Sequence, residues 1–482
     1  MEKGKIKEFT DKVWYGTGAI GLDLSYGMFN GRLSRYLTDV LGLNTNFLLG
    51  LISAARLWDG VNDPMMGSIV DNTNTKFGRY RPWVITGSCL NAFVLFLLFF
   101  NPGFKTGFSE GGASVFLYIY IAVMYILWGM TNTTADIPYW SMVPSFTTDP
   151  KERIILATIA RAFSGLGQGI VQIGSPIILN ALGNTVNGAV VWTQKGYTVT
   201  VAICSVLLIF FSVLSMSKVK ENVLVQPNEK FSFKKIFSVI KENDQLRVSM
   251  LFAMLSNAGF YTTTGVLDYF FAAVMENTKA QSTFSLFGTV GSILGLGVIP
   301  VMMKFTSRRR TYQFSLITAL FGYIGMFISG QFMMNTMLLN IFYTVTQIGT
   351  ASMFISQTVF LADVVDYGEV KMGVRRESVT FSMKGFLQKM AYTIQTVILY
   401  SAMGIAGYNK LKPDANGLIV YPRKVKNAIS AVMYVIPPIC FVLSILVFTF
   451  KFKLHGEYME DITRKVEESR KKRLEAVEGN GI

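Results

Sequence analysis

Residues 83–100 read WVITGSCLNAFVLFLLFF, a run without a single Asp, Glu, Lys, Arg or His. A helix needs about 20 mostly apolar residues to cross roughly 30 Å of hydrocarbon, and this run is close to that length. The pattern recurs at 199–216, VTVAICSVLLIFFSVLSM, and between polar loops along the whole chain. Counting these blocks predicts about twelve spans, near 13–39, 45–71, 83–102, 114–140, 157–183, 196–217, 248–275, 283–303, 313–334, 338–362, 379–405 and 428–451. The fold class this implies is an all-α membrane protein with twelve transmembrane helices in two six-helix bundles. The bundles are expected at 1–217 and 248–451, joined by a cytoplasmic central loop at 218–247 and followed by a charged cytoplasmic tail at 452–482.

The composition agrees. The 482 residues are 51% hydrophobic and 13% aromatic, with 16% charged residues and a mean hydropathy of +0.39; a soluble domain carries about 25% charged residues. The net charge of +15 does not point to nucleic acid, because the basic residues are sorted. They crowd the N-terminal segment, 217–247, KFTSRRRTY (304–312), KMGVRRES (371–378) and the tail. About 31 of the 45 Lys and Arg fall on that face, about 8 on the other and about 6 within spans, the bias of cytoplasmic loops. Both termini are therefore expected in the cytoplasm, with the chain in the inner, cytoplasmic membrane. The outer segment 406–427, AGYNKLKPDANGLIVYPRKVKN, is an exception with several basic residues.

Other chemistries find little support. Cys89, Cys204 and Cys440 are widely separated and show no disulfide framework or metal spacing. The single histidine, His455, lies in the tail, which excludes a His-based metal site or hydrolytic triad. There is no GxxxxGK[ST] loop to suggest an ATP-driven pump. The opening MEKGKIKEFTDKVWYG lacks the apolar core of a cleavable signal peptide. No organic cofactor is expected.

Charges at membrane depth are costly and usually face a cavity or each other. RLWDGVNDPMMG (56–67) places Arg56, Asp59 and Asp63 inside an apolar stretch. Asp59 and Asp63 stand at i and i+4, so their carboxylates share one helix face. Two close carboxylates in a low dielectric repel, and a bound Na⁺, Li⁺ or H⁺ relieves that repulsion. Thr133 offers a hydroxyl ligand if its helix lies alongside. The competing reading is a static charge network in which Arg56 neutralises Asp59.

TTADIPYWSMVP (133–144) sets Asp136 and Trp140 on one face as well. A carboxylate accepts from hydroxyls and an indole covers apolar C–H surface, so the pair suits a pyranose. An interfacial Trp beside an Asp that caps a Pro-perturbed helix is the alternative. Asp23, with Tyr26, lies in AIGLDLSYGMFNG among small residues. Arg161 in TIARAFSGLGQG is placed to donate to sugar hydroxyls or to Asp136, or to pair structurally. Lys389 in FSMKGFLQKMAY can balance the carboxylates across a cavity, while Lys384 lies nearer the cytoplasmic end and can snorkel to it. Asp268, in GVLDYFF near the outer end of its span, reads as structural.

WDGVNDPMMGSIVDNTNTKFGRYRPW (58–83) strongly resembles the matching region of the glycoside–pentoside–hexuronide:cation symporters, the melibiose permease-like family of the major facilitator superfamily. ILWGMTNTTADIPYWSMVPSFTTDPKER (126–153), LADVVDYGEVKMGVRRES (361–378) and the Asp-bearing first span agree, so the likeness covers roughly residues 10–450. The tail is too short for the phosphotransfer domain found in some relatives.

The resemblance implies a cation site at Asp59, Asp63 and Thr133, and sugar contacts at Asp23, Asp136, Trp140 and Arg161. Lys389 matches a lysine near both, whereas Lys384 has no clear counterpart. GSIVDNTNTKFGR (67–79) is similar to the superfamily's cytoplasmic loop motif, in which Asp71, Gly78 and Arg79 would latch the inner gate. Both cation-site carboxylates are present, unlike in relatives that lack one and use protons only, so Na⁺ coupling is allowed. Tyr26 and Asn132 neighbour the seat and bear on which hydroxyls are read.

The expected function is cation-coupled import of a glycoside by alternating access. The expected partners are a sugar, a monovalent cation and the bilayer, the chain acting as a monomer without nucleic acid. A sugar sensor would have no need of cation ligands, and a lipid or drug transporter would line its cavity with more apolar residues. A membrane enzyme lacks its nucleophile–base pair or metal cluster.

Overall fold

The computed structural model describes residues 2–143, 146, 150–186, 188–219, 238, 240–333, 335–373, 377–414 and 418–479. Side chains are described for these except 2–9, 71, 150, 151, 153, 154, 300, 377–386 and 469–479. Fourteen α-helices occur among the described residues. The first half holds α1 (Glu2–Arg35), α2 (Thr45–Asp71), α3 (Arg81–Leu98), α4 (Val115–Ser141), α5 (Pro150–Ala181) and α6 (Gln194–Lys218). Then come α7 (Asp244–Tyr269), α8 (Ala280–Phe305), α9 (Arg308–Phe327), α10 (Thr336–Met372), α11 (Glu377–Ala406), α12 (Arg423–Tyr434), α13 (Ile436–Lys451) and α14 (Gly456–Gly479). Five-residue π-helical turns extend α1 at Tyr36–Val40, α7 at Phe270–Val274 and α9 at Ile328–Phe332.

Helix covers each apolar block read from the sequence, and local chemistry explains the ends. Asn44, Ser114, Thr193, Ser307 and Asn335 each cap a helix N-terminus with a side-chain oxygen that accepts a backbone N–H. The helix α10 runs ten residues past the block ending at 362 and stops at Gly373, whose φ of 71° suits glycine. The last block is two helices, α12 and α13, because Pro437 and Pro438 favour a new helix start. Pro64 interrupts α2 from within, one residue after Asp63, where its ring nitrogen cannot donate to the carbonyl four residues earlier.

Eight helical segments among the described residues are long and apolar enough to cross a membrane. These include α3 to α6, α8 to α10, and α12 with α13. Of the long helices outside that group, α1, α2, α7 and α11 carry Asp23 and Arg32, the Arg56–Asp63 charges, Asp268, and Lys384 with Lys389, and α14 is the charged C-terminal helix. Large apolar side chains such as Leu57, Phe93, Val206, Phe321 and Phe450 stand exposed along the helices, a surface suited to lipid. The all-α expectation has one small exception. A hairpin of β1 (Asn184–Val186) and β2 (Ala189–Val191) pairs antiparallel, with Gly188 at a φ of 81° in its turn; the Asn-Gly dipeptide is a strong hairpin signal.

The chain forms two compact units. One comprises Met1–Lys230, Gly265–Leu286 and Leu399–Ile429; the other comprises Phe231–Thr264, Phe287–Ile398 and Ser430–Ile482. The core of the first joins Tyr15, Ala19 and Leu22 of α1 to Ala135 and Tyr139 of α4, with Ala160 and Leu208 beside them. In the second, Phe252, Tyr312, Phe360, Phe448 and Phe452 form an aromatic cluster. There α9 and α10 pass so closely that a Cβ on Gly349 would lie 2.5 Å from the Ser315 carbonyl oxygen.

Candidate functional site

The helices α2 and α4 of the first unit run side by side through their polar residues. The Thr133 hydroxyl donates to Asp63 Oδ1 at 3.0 Å. One turn earlier on α4, a Cβ on Gly129 would lie 3.4 Å from Asp59 Oδ1, so the bare α4 backbone approaches that carboxylate directly. Arg56 Nη1 donates to Asp59 Oδ2 at 3.1 Å, the pairing expected of a static network. Both are largely buried. The three residues expected to form a cation site are thus adjacent, with an arginine on one of the two carboxylates. Among the described residues no group of three or more His, Cys, Asp or Glu is placed to hold a metal ion.

Two turns further along α4 the second cluster begins. The Trp140 indole N–H donates to Asp136 Oδ1 at 2.9 Å, which fixes the ring over its own helix. The Arg161 guanidinium of α5 lies 3.9 Å from the centre of the Trp140 ring. Asp23 of α1 accepts from the Gln168 amide at 2.8 Å and is within electrostatic reach of Asp136 and Arg161. A Cβ on Gly167 would lie 2.6 Å from the Ile20 carbonyl oxygen, so glycine is what lets α5 approach α1 beside Asp23. The Tyr26 ring, one turn on from Asp23, is tilted against Trp128 with centroids 6.5 Å apart. Below this group Tyr15 and Tyr139 stack at 4.5 Å, each hydroxyl donating to the other's carbonyl, and lock α1 to α4. An amphipathic surface results: an indole face, a guanidinium and carboxylates able to accept hydroxyl protons.

Other expected residues fall elsewhere. Lys389 lies on α11 in the second unit, partly buried, with the Thr393 hydroxyl donating to its carbonyl at 3.0 Å. The side chains of Lys384 and Asp71 lie outside the described residues. Gly78 has a φ of 105°, a conformation that favours glycine, in a turn where Thr75 Oγ1 donates to the Gly78 carbonyl at 2.6 Å. Arg79 follows it, partly buried, before α3.

One cluster escaped the sequence reading. Arg32 of α1, fully buried, forms an ion pair with Asp268 of α7, and its Nε donates to Ser175 at 2.6 Å. Gln281 of α8 also donates to Asp268, at 2.5 Å. Within the π turn after α1, Asp39 pairs with Arg35 at 3.1 Å and accepts from the Tyr408 and Tyr421 hydroxyls. Arg35 in turn lies 4.1 Å from the centre of the Trp192 ring. The available signal was the spacing of Arg32, Arg35 and Asp39 in NGRLSRYLTDV (30–40) at the end of an apolar run. Asp268, read from the sequence as structural, lies within this network.

Comparison with known proteins places the chain in a family. The chain is 24% identical over 481 residues to a protein described as an uncharacterized symporter, YjmB, of Bacillus subtilis (strain 168), covering 96% of this chain and 97% of that one. It is 24% identical over 479 residues to a lactose permease of Lactobacillus delbrueckii subsp. bulgaricus, covering 96% and 73%. Its fold is similar to the crystal structure of the nucleoside transporter NupG, with a TM-score of 0.62 at 13% identity over 92% of this chain and 100% of that one. Residues 14–456 match the family described as MFS/sugar transport protein. With its predominantly helical fold and apolar spans, the chain belongs to that family of multi-pass membrane transporters, and is not an enzyme.

Proposed function

We propose that this protein is a cation-coupled sugar symporter of the cytoplasmic membrane, with twelve spans in two six-helix bundles and both termini in the cytoplasm. Its cargo is a glycoside such as a galactoside, pentoside or hexuronide, seated on Asp23, Tyr26, Asp136, Trp140 and Arg161 with Lys389. Its driving ion, Na⁺, Li⁺ or H⁺, is taken by Asp59, Asp63 and Thr133. The observation that carries this reading is the bond from Thr133 to Asp63, because Thr133 shares α4 with Asp136 and Trp140. An ion that neutralises the carboxylates of α2 changes the forces on the same helix that presents the sugar seat. The sugar must then favour the ion by the same factor, since coupling between two binding sites is reciprocal.

Transport follows without covalent chemistry. The ion relieves repulsion on α2, the sugar binds, and the loaded protein changes the side on which it is open. The decisive experiment is uptake into proteoliposomes across lactose, melibiose, raffinose and methyl glucuronide, with and without an inward Na⁺ gradient and with a pH gradient alone. Accumulation of one of these only with an ion gradient is expected; equilibration that ignores every gradient would remove the symport reading. The Arg56–Asp59 pair favours a second version, in which arginine holds Asp59 and Asp63 alone takes the ion. Concentrative uptake surviving in Asp59→Asn but not in Asp63→Asn would select it.

A further inference from the structure

Within the first unit, Ser25, Asn91 and Trp128 close a circuit of hydrogen bonds through the Trp128 carbonyl, with Thr131 as a branch. Ser25 of α1 donates to Asn91 Oδ1 of α3 at 2.5 Å. The Asn91 amide nitrogen donates to the Trp128 carbonyl of α4 at 3.2 Å and to the Thr131 hydroxyl at 3.1 Å. The Trp128 indole N–H returns to the Ser25 hydroxyl at 3.1 Å. Ser25, Asn91 and Trp128 are buried, and Phe29 stacks on the indole with centroids 3.4 Å apart. One turn before Asn91, a Cβ on Gly87 would lie 2.7 Å from the Ala135 nitrogen, so α3 touches the α4 backbone beside Thr133 and Asp136.

The sequence positions matter. Ser25 is two residues from Asp23, and Thr131 is two residues from Thr133. Asn91 therefore bonds at once to the helix that carries one sugar residue and to the stretch of α4 that carries the cation-side hydroxyl. An asparagine holds both ends because it offers an acceptor and two donors on one planar group. Ser25 and Trp128 are buried and Thr131 is half-buried, so displacing α4 against α1 strands polar groups of the buried circuit away from water.

We propose that Asn91 is a positioning residue that transmits occupancy of the cation site to the sugar seat by fixing α4 against α1; this rests on the symport reading above. Asn91 touches neither ligand. Its role is read in the coupling factor, the ratio of sugar dissociation constants without and with Na⁺, and not in either affinity alone. A purely structural asparagine would lower thermal stability and leave that ratio intact.

The test uses purified full-length protein in nanodiscs, with whichever of lactose, melibiose, raffinose or methyl glucuronide the wild type takes up, titrated in sodium and in choline chloride. Asn91→Leu is expected to reduce the coupling factor at least fivefold, with Na⁺ affinity in the absence of sugar within twofold of wild type. Ser25→Ala opens the circuit more gently and is expected to reduce the factor about twofold. A wild-type factor retained in folded Asn91→Leu overturns the proposal. If that variant does not insert, a wild-type factor in Ser25→Ala overturns it. A wild-type protein whose sugar binding ignores sodium, lithium and pH overturns the symport reading, and this proposal with it.

Discussion

Two groups of charges lie within the first unit, and they are built differently. In the Arg32 cluster, Arg32 and Arg35 face Asp268 and Asp39, so the formal charge cancels. Those side chains are 1% and 4% exposed in one pair and 7% and 11% in the other, and serine, glutamine and tyrosine side chains bond to them. On α1, α2, α4 and α5 the balance is uneven. Asp23, Asp59, Asp63 and Asp136 outnumber Arg56 and Arg161, and Arg161 lies over an indole ring. The first arrangement balances its charge within the protein, although Arg35 Nη1, Asp268 Oδ2 and Gln281 Oε1 are buried without a hydrogen-bond partner among the described residues. The second sets four acidic side chains against two arginines, and in the symport reading proposed above a mobile cation completes it.

The largest test of this contrast is Arg32→Ala. It leaves Asp268 as a buried charge without its partner and should cost about 3–5 kcal/mol, read as a lower unfolding temperature in detergent. The paired change Arg32→Met with Asp268→Leu should recover most of that loss, and no recovery would break the picture of a self-contained pair. Asp63→Asn should do the reverse. Stability should change little, while sugar affinity in saturating sodium falls at least about tenfold, or ~1.4 kcal/mol. Large destabilisation with unaltered sodium dependence would make the two regions alike.

A third change sharpens the comparison inside the uneven group. Trp140→Ala removes the ring under Arg161 and should weaken sugar binding by about 1–2 kcal/mol, with sodium binding in the absence of sugar unchanged; calorimetry with each ligand alone decides it. The smallest effect is expected from Tyr421→Phe, which deletes one of several bonds to Asp39. About 0.5–1.5 kcal/mol of stability should go, with transport rate at the working temperature kept.

These differences mark how far a linear reading reaches. The helices were legible because apolar runs near the bilayer length have few alternatives, and the i, i+4 pairs Asp59/Asp63 and Asp136/Trp140 were legible because helix geometry puts them on one face. The adjacency of Thr133 and Asp63 followed from the family resemblance, since no periodicity joins residues 70 apart. Arg32 and Asp268 are 236 residues apart, and nothing local to either names the other. The full length of α10 was missed because charges at 363–371 look like a loop, although a helix continues readily past the hydrocarbon boundary until Gly373 ends it. The hairpin at 184–191 carried its Asn-Gly signal, but too few residues to compete with the helical pattern around it.

Pro64 has one more consequence. The ladder of main-chain bonds in α2 lacks a rung between positions 60 and 64, and Gly60, at the other end of that gap, has nothing within 4 Å of where a Cβ would stand. A helix with a missing rung beside a residue without a side chain flexes there more cheaply than elsewhere. Asp59 immediately precedes that joint and Asp63 lies within it, so a bend there, like that of a knee, changes the distance between the two acidic groups.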